Sequence, residues 1–216
     1  ANREMVVWNN GNLILNETTG CQSFRPMVNA LNSGSFVAFA SDCDYNGTNA
    51  DGNLEVFRFH RNSNSFIQVT DTTGSATVLD SVDINRDGDF VAYIAQDAGG
   101  RYVVYRFDIN TMSSTFQGVS RPDRLIFNVR ILDTNAGDHL FYEALDLFAV
   151  PPAPSGVLGH IDVATQIVTE SVAVENVNGI AGALVAGFPH IYFSAASDLV
   201  GMNADTNVEV FEGRVE

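Results

Sequence analysis

Short apolar runs separated by polar turns recur along the chain and predict β-strands rather than helices. Val, Ile, Thr, Phe and Tyr dominate these runs, their periodicity is close to two, and Gly, Asn, Asp and Ser fill the segments between them. The clearest unit contains the runs 26–31, 36–40, 54–59 and 66–70. The pattern predicts four short strands in this unit, which we term a to d in chain order.

One phrase of the sequence occurs twice, and its spacing predicts repeated units. Residues 49–57 read NADGNLEVF and residues 203–211 read NADTNVEVF, so the copies lie 154 positions apart. Residues 2–6 match 53–57 at an offset of 51, about a third of that distance. A period of this size in strand-rich sequence is typical of β-propellers, whose blades are four-stranded antiparallel sheets.

The units predict an all-β fold, with a single β-propeller domain at 1–216 and about four to five repeats. Its predicted parts are a partial blade at 1–20, blades at about 25–74, 75–120 and 121–172, and a last partial blade at 173–216. Two arrangements fit these parts: a small closed ring with one hybrid blade, or an arc of a longer propeller. The sequence slightly favours the arc, because it begins and ends within a repeat.

The charge balance disfavours some partners. The chain has 26 acidic residues against 11 basic ones, all of them Arg, for a formal net charge of −15. A field of this sign repels phosphate backbones and anionic lipid, so we expect no nucleic-acid partner. No apolar run reaches the roughly 18 to 20 residues of a membrane helix, so we also expect no membrane insertion.

Motifs for catalysis or metal binding are weak. The chain has no G-x-S-x-G sequence, and its four histidines include no H-E-x-x-H pair. Residues 83–88 match the opening of a calcium-binding EF-hand loop, but Ile94 stands where the bidentate Glu belongs, which favours an ordinary hairpin. We therefore expect no enzymatic activity and no cofactor.

Three phrases, GSFVAFASDCD, NADGNLEVFRF and FIQVTDTTG, resemble the TolB-type, WD-like β-propeller repeats common in secreted and periplasmic bacterial proteins. Residues 25–74 carry the closest match, whereas 149–154 and 179–187 depart from the pattern. The resemblance implies a non-catalytic interaction module in an extracytoplasmic setting, whether periplasmic, cell-surface or secreted. It implies no particular ligand.

The two cysteines fall in connections that share one face of a blade. Cys21 lies in a d-to-a connection and Cys43 in a b-to-c loop, so the blade topology predicts a disulfide between them. In the loop-entropy description such a bridge contributes roughly 3 kcal/mol to stability. It also implies an oxidising compartment.

The b-to-c loops are the predicted contact sites, because loops on a rigid scaffold commonly carry recognition. They span 42–53, 96–101, 149–156 and 198–207. The individual binding candidates are Asp42, Asp44, Asn49, Asp51, Asn53, Asp198, Asn203 and Asp205. We expect no metal, since Asp and Asn are what tight turns require, but calcium at Asp51, Glu55, Asp205 and Glu209 is a minor alternative.

Three functions fit the sequence. The leading hypothesis is a binding scaffold whose loop face engages another protein or a cell-envelope component. The second is a structural subunit of a surface layer or filament, which would self-assemble by strand addition. The third is the non-catalytic propeller domain of a larger hydrolase.

Overall fold

The structure, a computed structural model, describes eleven stretches of the chain. They are residues 6–9, 12–15, 20–28, 35–73, 78–117, 122–134, 137–147, 156–170, 180–185, 188–195 and 209–214. The regular structure in these stretches is β-strand. None of the described residues forms a helix with the length and apolar character needed to cross a bilayer.

The strands follow one another closely along the sequence. They are β1 (Val6–Asn9), β2 (Asn12–Leu15), β3 (Ser23–Val28), β4 (Phe36–Ser41), β5 (Glu55–His60), β6 (Ser65–Gln68), β7 (Val78–Ile84), β8 (Phe90–Gln96), β9 (Tyr102–Asp108), β10 (Ser113–Phe116), β11 (Arg124–Thr134), β12 (Gly137–Asp146), β13 (Gly156–Asp162), β14 (Ile167–Glu170), β15 (Ile180–Val185), β16 (Phe188–Ala195) and β17 (Glu209–Arg214).

The strands form antiparallel sheets in which sequence neighbours are spatial neighbours. Strands β3–β6, β7–β10 and β11–β14 form three four-stranded sheets, here called sheets 1, 2 and 3. Strands β15–β17 form a three-stranded sheet 4, and β1 pairs with β2. The predicted all-β architecture of four-stranded antiparallel sheets is therefore confirmed. No pairing between the described strands closes the sheets into a ring.

The first strand of each of sheets 1 to 3 contains a register shift. In β3 the shift lies between Phe24 and Met27, so it includes Pro26, which has no N–H group to donate to β4. Comparable shifts occur in β7 and β11. Such bulges increase the local twist of a strand. Strand β3 begins at Ser23, earlier than the apolar run at 26–31 predicts.

The second strand of sheet 2, β8, is buried on both faces. Val91 and Tyr93 of β8 pack with residues of sheet 1, whereas Ala92 and Ile94 pack with residues of sheet 3. A strand buried on both sides needs apolar residues at consecutive positions. This explains why the sequence of β8 does not alternate between apolar and polar residues.

Polar side chains bind sheets 2 and 3 together along β7 and β11. The Val129 N–H donates to Ser81 Oγ at 3.0 Å, and the Ile131 N–H donates to Asp83 Oδ2 at 3.0 Å. Asp83 is only 7% exposed, and burial raises its pKa to about 6. In the opposite direction, the Arg86 N–H donates to Asp133 Oδ2 at 2.8 Å. Each sheet thus supplies a carboxylate that accepts a backbone hydrogen bond from the other.

Candidate functional site

The loop between β4 and β5, residues 42–54, is tied at its start to the segment before β3. We call it the disulfide loop, because Cys43 is bridged to Cys21 with a Cα–Cα distance of 5.1 Å. Beside the bridge, the Asp42 N–H donates to the Gln22 carbonyl at 3.1 Å, and the Gln22 N–H donates to Asp42 Oδ1. The predicted disulfide is therefore present, and Asp42 reinforces it.

Tyr45 anchors the middle of the disulfide loop in an aromatic cluster. Its ring lies parallel to that of Phe66 with centroids 4.4 Å apart, and it meets Phe57 edge to face at 5.1 Å. Its hydroxyl lies 2.7 Å from Ser23 Oγ. Because aromatic contacts and a polar contact hold the same side chain, the loop backbone at this point is fixed.

Asn49 holds the second half of the loop from the inside. Its side chain is buried, with only 2% exposed, and its Nδ2 donates to the Asn53 carbonyl at 3.0 Å. Its backbone N–H donates to Asp44 Oδ1 at 3.0 Å. The Gly52 N–H closes a turn on the Asn49 carbonyl, and Gly52 has a φ of +65°, which glycine adopts without strain. Asn49 therefore shapes the loop and presents no free surface to a partner.

Glu55 locks the end of the loop to the segment after β6. This carboxylate is fully buried, and its Oε1 accepts from the Thr72 N–H and the Thr72 hydroxyl, each at 2.6 Å, while its Oε2 accepts from the Thr70 hydroxyl. The Asn53 Nδ2 also donates to the Thr72 carbonyl at 2.5 Å. Glu55 thus caps neighbouring backbone. Its partners are Thr70 and Thr72, which no sequence motif marks as functional.

The outer surface of the disulfide loop is polar and acidic. Its exposed residues are Asp44, Asn46, Gly47, Thr48, Ala50, Asp51 and Gly52. Asp71 and Thr73, after β6, are also exposed. An exposed loop whose backbone is fixed in advance loses little conformational freedom on binding.

Of the other three predicted loops, the structure describes the one at 96–101 and leaves most of the other two outside its described residues. In the 96–101 loop, Asp97 accepts from the Gly99 and Arg101 N–H groups and pairs with the Arg101 guanidinium at 2.7 Å. Its charges are therefore balanced within the loop. Residues 149–155 and 196–208 lie outside the described residues, and so do Asp198, Asn203 and Asp205.

The described residues bring together one group of three metal-ligating types, Cys21, Asp42 and Cys43. Both sulfurs of this group are joined in the disulfide, so they are not metal ligands. Among the four residues of the calcium alternative, Glu55 already accepts hydrogen bonds from Thr70 and Thr72. Asp51 is exposed. Asp205 and the side chain of Glu209 lie outside the residues that the structure describes. Calcium binding by these four residues therefore stays a prediction.

The segment at 83–88 forms a hairpin turn. The Gly88 N–H donates to the Asn85 carbonyl at 3.1 Å, and the Phe90 N–H donates to Asn85 Oδ1 at 2.9 Å. Gly88 has a φ of +82°. Since Asp83 turns toward β11 and Asn85 caps its own hairpin, these residues do not converge as ligands of one ion.

Comparison with solved structures shows the fold, although no protein-family profile and no curated protein matches the sequence. The chain is similar to a protein assigned as TolB from Agrobacterium tumefaciens, with a TM-score of 0.61 and 14% identity over 94% of this chain and 62% of that one. It is also similar to oligogalacturonate lyase from Vibrio parahaemolyticus, with a TM-score of 0.60 and 13% identity over 97% and 58%. A third similar structure is an acylaminoacyl peptidase from Pyrococcus horikoshii, with a TM-score of 0.51 and 11% identity over 92% of this chain and 33% of that one.

These likenesses define a class of fold. The chain shares its fold of four-stranded antiparallel sheets with TolB-like β-propeller structures, as its repeat phrases predict. It spans 62% of the TolB structure, 58% of the lyase and 33% of the peptidase. Since the identities lie at 14% or below, the likeness concerns the fold.

Proposed function

We propose that this chain is a non-catalytic, extracytoplasmic binding scaffold whose disulfide loop engages a protein or another component of the cell envelope. One observation carries the proposal: the loop is exposed at its tip and fixed at its base by a disulfide, an aromatic anchor and two buried polar side chains. A loop that only connects two strands does not need so many fixing contacts, whereas a binding loop benefits from them because it loses less conformational entropy when its partner binds.

The setting follows from the same loop. Disulfides persist in oxidising compartments, so the Cys21–Cys43 bridge supports a location outside the cytoplasm. The likeness to a TolB structure supports the same setting and a protein partner. The net charge of −15 supports a partner with a basic or neutral contact surface over nucleic acid.

A second candidate, the propeller part of a larger hydrolase, is favoured by the match to one third of the acylaminoacyl peptidase chain. A third, self-assembly into a surface layer or filament, predicts that the partner is another copy of this chain. The hydrolase candidate places the principal contact somewhere other than the disulfide loop, and self-assembly makes the crosslinked partner a second copy of this chain, so one experiment separates both from the proposal.

Site-specific photo-crosslinking tests the proposal. A photoreactive residue is placed at Thr48, on the exposed tip of the disulfide loop, and in a matched control at Thr165, an exposed residue of the turn between β13 and β14. Both proteins are irradiated with an envelope protein extract. The proposal expects a discrete product of larger mass from position 48 and none from position 165, and this product disappears when the disulfide is reduced.

Two results would contradict the scaffold. Equal crosslinking from both positions would mean that the loop has no special role. A product composed of two copies of this chain would replace the scaffold by self-assembly.

A further inference from the structure

The same diagonal pair of side chains occurs once in each of sheets 1 to 4. The first member lies near the start of the second strand, where it is paired with a residue of the third strand directly opposite. The second member lies on the third strand, two positions before that paired residue in the sequence. The pairs are Phe36–Arg58, Phe90–Arg106, His139–His160 and His190–Glu212. The strand registers make these four pairs structurally equivalent.

In sheets 1 and 2 the pair is a permanent cation over an aromatic ring. The guanidinium carbon of Arg58 lies 3.7 Å from the Phe36 ring centroid, and that of Arg106 lies 3.3 Å from the Phe90 centroid. Each Arg interacts with an Asp of the following sheet: Arg58 with Asp89, and Arg106 with Asp138 at 2.5 Å. The pair therefore links each of these sheets to the next by opposite charges.

In sheet 3 the same positions hold two histidines in direct contact. His139 Nδ1 lies 2.9 Å from His160 Nε2, with ring centroids 5.1 Å apart and ring planes 20° apart. These values place the rings edge to edge in nearly one plane. One nitrogen must donate and the other accept, so the contact holds for two neutral rings or for two rings that share one added proton, and it fails when both rings are charged.

The histidine pair lies on the side of sheet 3 that faces sheet 4. Leu140 and Tyr142 of β12 pack with residues of sheet 2, so the alternate residues His139 and Phe141 lie on the opposite side. Strand β15 packs against β11 and β12. Asp89 precedes Phe90 and Asp138 precedes His139, but the residue that precedes His190 is Pro189. The acidic residue of the earlier joints therefore has no counterpart at this position of sheet 4.

Few ionisable groups surround the histidine pair. Within sheet 3, Asp162 lies opposite His139, Thr169 lies opposite His160, and Arg130 and Glu143 occupy the same side of β11 and β12. Asp162 already accepts from the Ala164 and Thr165 N–H groups. In sheet 4, β15 has no ionisable residue, and the ionisable residues His190 and Tyr192 of β16 both contact Glu212.

We propose that the histidine pair makes the joint between sheets 3 and 4 proton-sensitive, so that mild acid loosens this joint while the joint between sheets 2 and 3 holds. In sheets 1 and 2 the cation is permanent and balanced by an Asp. In sheet 3 the positive charge arises only on protonation, and sheet 4 supplies no acid at the equivalent position. A first proton therefore places at this joint a positive charge that lacks the acidic partner of the other joints, and a second proton also breaks the contact between the two rings.

The direction of titration agrees with this geometry. Burial, and then the neighbouring His139, lowers the pKa of His160 below its usual 6.5. The folded state thus binds a proton less readily than the unfolded state, and the stability contributed by this histidine is present above pH 6.5 and lost as the pH falls. Asp83, in the joint between sheets 2 and 3, has a raised pKa of about 6, so acid has the opposite effect there.

Hydrogen–deuterium exchange measured by mass spectrometry at pH 7.5 and 5.5 tests the proposal, after correction for the intrinsic effect of pH on exchange. We expect exchange in peptides covering β15 to rise by about threefold or more at pH 5.5 relative to peptides covering β8 and β9. The double variant His139→Gln/His160→Gln removes the response. The matched control His190→Gln, which alters the equivalent histidine of sheet 4, retains it.

Two outcomes overturn the proposal: a wild-type protein whose β15 peptides do not respond to acid, or a double variant that responds as strongly as wild type. If the glutamine variant does not fold, His139→Phe/His160→Arg takes its place, because it installs the pair that sheet 2 already carries. The same criterion applies to it: a retained acid response contradicts the proposal, and a lost response supports it.

Discussion

Replacing Asp83 by Asn removes a buried carboxyl group from the joint between sheets 2 and 3. In the native protein this carboxyl accepts the Ile84 and Ile131 N–H groups at 2.9 and 3.0 Å. Its side chain is shielded from water, and burial is the main reason that its pKa rises to about 6. Asn keeps the shape and one acceptor oxygen but carries no charge at any pH.

The expected magnitude follows from proton linkage. A pKa that rises from 3.8 in the unfolded chain to about 6 in the folded protein means that the folded state binds the proton more tightly. The contribution of Asp83 to the free energy of unfolding is therefore larger in acid, and about 3 kcal/mol of this contribution is lost as the pH rises through this interval. Asp133, whose pKa also rises to about 6, adds a contribution of the same sign.

Urea unfolding across pH 4.5 to 6.5 measures this contribution. We expect the pH slope of the unfolding free energy of Asp83→Asn to differ from that of wild type by up to about 1.4 kcal/mol per pH unit, which is one proton. The control Asp51→Asn changes an exposed Asp of the disulfide loop, outside the joint between sheets 2 and 3, and should keep the wild-type slope. Because Asp133 and the histidines are common to all three proteins, their contributions cancel. Parallel curves for Asp83→Asn and wild type would refute the reasoning.

Three further predictions concern stability, each measured by chemical denaturation. Replacing Cys21 and Cys43 by Ser should lower the unfolding free energy by about 3 kcal/mol, and an unchanged value after reduction of the wild type would contradict this. Glu55→Ala should cost about 2 to 4 kcal/mol, because it leaves buried donors without an acceptor, whereas Glu55→Gln should cost less. Gly88→Ala should cost more than Gly100→Ala: both have positive φ, but only at Gly88 does a Cβ meet another residue, the Phe36 ring. Equal losses of unfolding free energy in the two variants would show that the Phe36 ring moves aside without cost, which would contradict the prediction.

The strand order and the sheet composition were predictable because they depend on local pattern. Alternating or continuous apolar runs bounded by Gly, Asn and Asp define β4, β5, β8 and β9 without any long-range information. The Cys21–Cys43 bridge was also predictable, since the order of strands in a blade places both connections on one face. In these cases the sequence neighbourhood of a residue decides its structure.

The roles of individual loop residues were not predictable in the same way. Asn49 and Asp51 belong to the same NADGN phrase, yet one is buried and the other is exposed. The difference depends on contacts with Cys43 and Asn53 that only the folded loop creates. The equivalence of Arg58 and His160 is similarly hidden, because it follows from strand registers and the two residues share no chemistry in the sequence.

The construction of the disulfide loop separates its shape from the identity of its tip. The side chains that determine the loop conformation are Cys43, Tyr45, Asn49 and Asn53, whereas Gly47 and Thr48 between them are exposed. Gly47 has a φ of +74°, which favours glycine, so Thr48 is the position of the two that is open to change. The tip is thus a position at which a foreign peptide can be inserted and displayed, with its two ends held at a fixed spacing by a support that does not depend on the inserted sequence.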